Sequence, residues 1–544
     1  MNKTGNLILS SILLLIIFNA CTMKDKADLI LHNGVVYTVD TAFSTAEAFA
    51  VKDGKIIAIG TNDEILGKYE ADSMIDAGGK YVYPGFIDAH CHFHGYGLTL
   101  QQVDLRGCKT EDEFFERVVE FAESHPDGWI EGRGWDQNDW PEKEFPSGAK
   151  MSELFPDRPV YLRRIDGHAA IVNAKAMELA GINENTTVAG GLIHFSDDNK
   201  GGILVDMAMD LVSNVIPEES EEQSRLALLD AQKQCFAVGL TTVDDAGLHN
   251  NMVHLIDDMQ KAGELKMRMY VMLEPDSANI EEYVKKGIYS TDRLNVRSVK
   301  IYSDGALGSR GAWLLEPYSD EPESVGLLLK DSAYYYEMAK LCSDNGFQLN
   351  VHAIGDAANQ FMLTVFSMYN ERHQDKRWRI EHSQVIAERD FDLFGNYGII
   401  PSVQPTHATS DMYWADERLG ERIAHAYAYK RLLQQNGWLP LGTDFPVEEI
   451  SPFLTFYAAV FRIDAEGWPE GGFQIEDALT REEAMKGMTI WAAMSNFEED
   501  VKGSIEPGKY ADFVIVDTDL MNCKAEDVLT AKVLQTYIGG DRVY

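Results

Sequence analysis

Eight apolar, strand-length runs recur along the chain, separated by segments with helical spacing. They are YVYPGFIDAHCH (81–92), GLTTVDDAG (239–247), KMRMYVML (266–273), VRSVKIYSDG (296–305), FQLNVHAIGD (347–356), WRIEHSQ (378–384), GIIPSVQPTH (398–407) and WLPLGTDFPV (438–447). Strand-like runs alternating with helical stretches such as SRLALLDAQKQCFAV and SAYYYEMAKLCSDN mark βα units around a parallel sheet. Eight units are the number that closes a (β/α)8 barrel. The first crossover is far too long for one helix, so residues 105–216 are expected to form a subdomain inserted over the barrel mouth. There are no internal repeats and no low-complexity tracts.

The two ends of the chain have another character. DLILHNGVVYTVD, AFAVKDGKIIAIG and SMIDAGGKYVY are β-rich and broken by turns at Asn33-Gly34 and Asp53-Gly54, and GKYADFVIVDTD and KVLQTYIGGDRVY repeat the style near the C-terminus. The expectation is a small β-sandwich built from both termini (28–81 and 505–544) around a barrel over 82–504. The first 21 residues, MNKTGNLILSSILLLIIFNAC, hold an apolar run from Leu7 to Phe18 that is short for a membrane span and fits a signal-peptide core. Cys21 directly after it resembles a bacterial lipoprotein signal, with 1–20 removed and Cys21 lipidated, although Phe18 and Asn19 depart from the usual Leu-then-small pattern. An uncleaved anchor is the alternative. Either way the domain is expected outside the cytoplasm, touching a membrane only through this anchor. The other cysteines are odd in number and form no C-x-x-C pair, so they give no disulfide framework, and Cys91 reads as a small buried hydrophobe.

With 87 acidic against 48 basic residues, the net charge is −39 in 544 residues. That balance excludes a nucleic-acid partner, which needs clustered Lys and Arg, and is read as solubility. Length suggests one large domain with appendages or two to three domains. Homo-oligomerisation stays open.

The strand ends carry the chemistry. His90 and His92 stand two apart and share one strand face. Lys300 lies on the fourth run, and His352, His382 and Asp444 end the fifth, sixth and eighth. In a barrel these ends converge on one mouth, and imidazoles with a carboxylate there are a metal site by composition, suited to Zn, Fe, Ni or Mn. His94 is expected above that set, and His407 near the mouth.

GFIDAHCH, VKIYSDGALGSR, NVHAIGD, RIEHSQ, LGTDFPV and GSIEPGKYADFVIVD resemble the amidohydrolase superfamily, more closely its branch of YtcJ-like and N-substituted formamide deformylase-like enzymes. The resemblance runs from about Asp28 to Tyr544, and GRGWDQNDWP (132–141) and RIDGHAAIVNAKAMELAGI (164–182) carry it into the insertion. It implies a pair of divalent metals, zinc first: His90, His92 and Asp444 hold one, His352 and His382 the other, and Lys300 bridges them after carboxylation by CO2. An ion pair of Lys300 with Asp304 is the alternative. The implied reaction is hydrolysis of a small-molecule amide by metal-activated water, with Asp444 moving the proton to the leaving amine. For substrate contacts, Trp135, Trp140 and Asp136 are candidates for a lid, against an anchoring role in the insertion. His168 and Asn173 are candidates to point into the site, against satisfying local backbone groups. Arg310 is a candidate to bind a carboxylate or carbonyl, against a surface salt bridge. A mononuclear deaminase of the same superfamily is the nearest rival, disfavoured because Gly355 stands where such enzymes carry a Glu. A binding lipoprotein without turnover is the rival from another class, disfavoured by the intact ligand set.

Overall fold

The computed structural model describes residues 24–164, 167, 169–188, 191–196, 200–217, 219–370 and 375–544. The leader with Cys21 lies outside them. Among the described residues no helix is long and apolar enough to cross a membrane.

Seven parallel strands follow one another in chain order around the central sheet: β1 (Phe86–Cys91), β2 (Leu240–Leu248), β3 (Arg268–Leu273), β4 (Leu294–Tyr302), β5 (Gln348–Ala353), β6 (Arg379–His382) and β7 (Ile400–Ser402). The eighth run forms an irregular extended segment instead of a ladder strand. It still bonds to both edges. Gly442 N–H donates to Val403 O (3.0 Å), Asp444 N–H to His90 O (2.7 Å), and His92 N–H to Phe445 O (2.8 Å). Pro440 and Pro446 have no N–H to give, and Asp444 sits at φ 65, so regular pairing is broken while closure is kept. The result is a nearly closed TIM-like barrel.

Its outer helices pack by ordinary rules. The helix Glu221–Ala237 starts at a Ser220/Gln223 capping box and buries Ala227, Leu228, Ala231 and Cys235, spaced three to four apart. It lies so close to the helix Phe93–Leu100 that a Cβ on Gly97 would sit 2.1 Å from Ala227 O, so only glycine fits.

The insertion is a six-stranded sheet in the order Gly191–Phe195, Gly202–Asp206, Ala169–Val172, Val160–Arg164, Ile130–Trp135, Val103–Asp104. Both of its faces are apolar. Leu162, Ile171 and Ile203 pack with Phe114, Trp135 and Trp140, while their neighbours Tyr161, Val172 and Leu204 pack with Met177 and Val212 on the opposite side. The termini build two further sheets. One has Lys55–Gly60, Ala48–Lys52, Asp25–His32 and Tyr69–Asp76. The other runs Asp541–Arg542, Val533–Ile538, Phe513–Val516, Tyr81–Pro84, Val35–Tyr37, Thr45–Ala46. Leu31, Phe49, Val51, Val82, Phe513 and Ile515 fill a shared core.

Candidate metal centre

Alternation along β1 sends Ile87 and Ala89 outward against Ala492 and Ala493, and Asp88, His90 and His92 inward. Asp88 accepts from His90 N–H (3.1 Å), Thr443 N–H (3.0 Å) and the Thr443 hydroxyl (2.7 Å). This clamps the closing segment to β1 and sets Asp444 beside the two histidines. On β6 alternation fails at the decisive place. His382 has φ 73 and Ser383 φ 43, a left-handed turn that brings the consecutive residues Glu381 and His382 to the same site.

Three imidazoles are anchored through Nδ1. His90 Nδ1 lies 2.6 Å from Glu381 Oε2, His92 Nδ1 3.0 Å from Ala246 O, and His382 Nδ1 2.8 Å from Gln404 Oε1. A carbonyl or carboxylate only accepts, so each Nδ1 carries a proton, and in the neutral ring the lone pair then lies on Nε2. Such anchoring of the far nitrogen is how metal-binding imidazoles are oriented. The His352 ring lies 4.5 Å from that of His382, and its buried Nε2 has no hydrogen-bond partner. One ligand atom each of His90, His382 and Asp444 lie within 4.8 Å of one another. Asp444 Oδ1 is 3.1 Å from His92 Nε2 and 3.6 Å from His90 Nε2, aligned with neither for a hydrogen bond, and is itself without one. Lys300 Nζ, fully buried, is 3.3 Å from His90 Nε2.

The charge states suit a cation. Burial pushes His90 down to about 4 and His352 to about 3, with the Lys300 charge as the next cause, and holds His382 well below the usual imidazole range. All three are neutral at pH 7. Burial likewise lowers Lys300, to about 8. Burial alone would raise Asp444, but the surrounding imidazoles, His92 first, hold it well below the usual carboxylate range. Neutral imidazoles aimed at an ionised carboxylate, with Nε2 of His352 and Oδ1 of Asp444 unpartnered, are a donor set that fits a divalent metal.

Beneath this set lies a polar layer that strand-end reasoning missed. Arg379, fully buried, donates from Nε to Glu381 Oε1 (2.7 Å) and from Nη1 to Asp244 Oδ2 (2.9 Å), and also bonds Ser402, Asn496 and Ala89 O. The signal was present: Arg379 and Glu381 are charges two apart on one strand-length run, flanking Ile380. His407 approaches from the helix Pro405–Asp411, with Nε2 3.8 Å from Asp444 Oδ2 and no hydrogen-bond partner. His94 is held by its backbone N–H on Asp245 (3.1 Å).

The residues expected to cap the mouth have other work. Trp135 is fully buried in the core of the insertion, its indole N–H on Leu162 O (2.8 Å), and Trp140 donates to Cys108 O (3.1 Å) in the same core. Both anchor the insertion, because its sheet is covered on two faces and needs large side chains there. Asp136 caps the turn Gln137–Asp139 and pairs with Arg164 at 2.7 Å. Asn173 caps the helix Ala174–Leu179. Arg310 pairs with Asp320 at 2.8 Å, a partner shared with Arg418, and its only side-chain hydrogen bonds among the described residues go there. His168 lies outside the described residues. Asp304 takes no ion pair from Lys300. It accepts the N–H groups of Trp313 (2.8 Å), Ile354 (3.0 Å) and Gly355 (2.8 Å), binding the loop after β4 to the end of β5.

Residues 73–544 match the amidohydrolase family. The chain belongs to that family. Among its relatives, Protein LONG AFTER FAR-RED 3 of Arabidopsis thaliana is 33% identical over 95% of this chain and 92% of its own. Putative amidohydrolase YtcJ of Bacillus subtilis is 30% identical over 94% and 98%. The N-substituted formamide deformylase of Arthrobacter pascens is 26% identical over 95% and 98%. Among solved structures, an uncharacterised metal-dependent hydrolase of Pyrococcus horikoshii superposes with a TM-score of 0.76 at 27% identity, covering 91% of this chain and 99% of that one. In this amidohydrolase the position three residues after His352 is closed to any side chain. A Cβ on Gly355 would lie 2.0 Å from Trp313 O.

Proposed function

We propose that this amidohydrolase cleaves the C–N bond of a small N-formyl or N-acyl amine at the His90, His92, Lys300, His352, His382 and Asp444 cluster. The observation that carries the proposal is the convergence of the neutral imidazoles of His90, His352 and His382, with Nδ1-anchored His92, on one ionised carboxylate at the barrel mouth. Divalent metal bound there, zinc in the first place, supplies Lewis acidity and lowers the pKa of water toward neutrality. Asp444 divides its carboxylate: Oδ1 faces His90 and His92, and Oδ2 is turned toward His407. Asp444 is thereby positioned to take a proton from the attacking water and deliver it to the leaving amine. Lys300 is the candidate for carboxylation, because burial favours the neutral amine that reacts with CO2. The kinship to a formamide deformylase supports an amide substrate. The clash at Gly355 disfavours deamination by a shuttle placed on that position. The leader and Cys21 add the proposal that the chain is exported and lipid-anchored on the outer side of a bacterial membrane, which fractionation with and without Cys21→Ala tests.

The deciding experiment pairs metal content with turnover. Wild type should hold about two metals per chain and hydrolyse members of an N-formyl and N-acyl amine panel. Lys300→Ala should lose metal, and Asp444→Asn should keep much of it yet lose hydrolysis. Wild-type turnover in Asp444→Asn would remove that residue from the mechanism.

A further inference from the structure

The helix Pro405–Asp411, which carries His407 to Asp444, also walls a second space. This cavity of about 360 Å³ is bounded on its other sides by the 448–449, 454–458 and 463–466 segments. Small-molecule sites span about 300–1,000 Å³. The charge around it has one sign: Glu448, Glu449, Asp464 and Glu466 line it, and no Lys, Arg or His does.

In a chain of net charge −39, four carboxylates together are background. Other features set this place apart. Thr406 lies on the wall at 7% exposure, and its hydroxyl has no hydrogen-bond partner. Tyr413 and Tyr457 contribute aromatic rings, whose faces attract cations. Leu454 and Ile463 supply apolar surface. Glu448 receives the Ser410 hydroxyl (2.6 Å) but no cation, and burial raises its pKa. An anion would meet four like charges here, and a bare metal ion would leave the rings and the apolar surface unused. An organic cation with a short hydrocarbon part uses all of them.

We infer that this cavity binds a small alkylammonium group, held by Glu448 and Asp464, the Tyr413 ring and the Thr406 hydroxyl. Resting on the hydrolase assignment above, the group it takes is the cationic end of an N-acyl amine substrate whose amide lies at the metal cluster.

Calorimetric titration of the full chain with n-butylammonium, in 150 mM salt to screen long-range charge, tests it. Butylammonium should bind at least tenfold more tightly than neutral n-butanol, and Glu448→Gln/Asp464→Asn should weaken it at least tenfold. Thr406→Val, which removes one hydroxyl, should weaken it several-fold and covers the case of a misfolded double variant. Absence of binding, equal affinity for butanol, or full affinity in both variants overturns the inference. So does Ca2+ outcompeting butylammonium at equal concentration, since that marks a plain acidic cluster. A chain that hydrolyses amides but ignores butylammonium refutes the cavity alone. A chain that binds butylammonium through these residues but hydrolyses no amide refutes the hydrolase assignment alone, and leaves an alkylammonium site.

Discussion

Glu381→Gln is the perturbation that most directly separates a metal-binding centre from a polar barrel core. The wild-type carboxylate is fully buried and works in two directions: Oε2 takes His90 Nδ1 at 2.6 Å, and Oε1 takes Arg379 Nε at 2.7 Å. Glutamine keeps the shape but has one acceptor oxygen, and its NH2 group must face one of the two donors. A charge-assisted hydrogen bond is therefore lost, at about 1.5–3 kcal/mol. Arg379 is not stranded, because Asp244 (2.9 Å), Asn496 (3.2 Å) and Ser402 (3.1 Å) remain. The loss should then stay below the roughly 3–5 kcal/mol of a buried pair broken outright. For the metal, removing the partner that orients an imidazole weakens affinity about 10- to 100-fold, which is about 1.4–2.8 kcal/mol.

Competition with a chromophoric chelator measures zinc affinity, and thermal denaturation of the metal-free protein measures the fold alone. The expected result is a lowered midpoint together with a 10- to 100-fold weaker zinc constant, and a larger share of the stabilisation by zinc lost than of the metal-free stability. If Glu381→Gln lowers the midpoint but binds zinc like wild type, the His90–Glu381 contact serves folding only, and the orientation of His90 toward a metal is refuted.

Trp135→Ala should cost the insertion about 3–5 kcal/mol, seen as new proteolytic cleavage within 105–216, while metal content stays at the wild-type value; a change in metal content with no gain in cleavage would contradict its place in that core. For Lys300, only the free amine attacks CO2, and burial lowers its pKa to about 8. Carboxylation of metal-free protein at constant dissolved CO2, followed by mass spectrometry of rapidly trapped samples or by zinc uptake, should therefore speed up as pH rises through about 8 and level off above it, and a rate flat from pH 7 to 9 at constant CO2 would argue that the amine is already neutral or not reached.

How much of this was legible in the sequence follows from which residues obey simple periodicity. The barrel was legible because its runs are apolar and of strand length, and the terminal sheets because Asn33-Gly34 and Asp53-Gly54 punctuate alternating strands. His90 and His92 declare a shared face because β1 keeps its period of two. Glu381 and His382 do not, since adjacent residues on a strand point opposite ways unless the backbone turns, and the turn is a φ of 73 that no local residue preference announces. The irregular eighth strand escaped for the same reason, with Asp444 at φ 65. Trp135 misled because a tryptophan in a long insertion over a barrel mouth has two homes, and the choice rests on whether the insertion owns a core. It does: Tyr161 and Leu162, consecutive on one strand, are both buried in apolar clusters on opposite faces. A sheet covered on both faces consumes its own aromatic residues, so substrate contacts must come from elsewhere. One helix touches both places: Thr406 lines the acidic cavity, and His407 Nε2 lies 3.8 Å from Asp444 Oδ2. If one substrate occupies both, turnover over a graded series of acyl alkylammonium compounds should peak at one chain length, and Thr406→Val should flatten that peak; turnover independent of chain length would separate the cavity from the reaction.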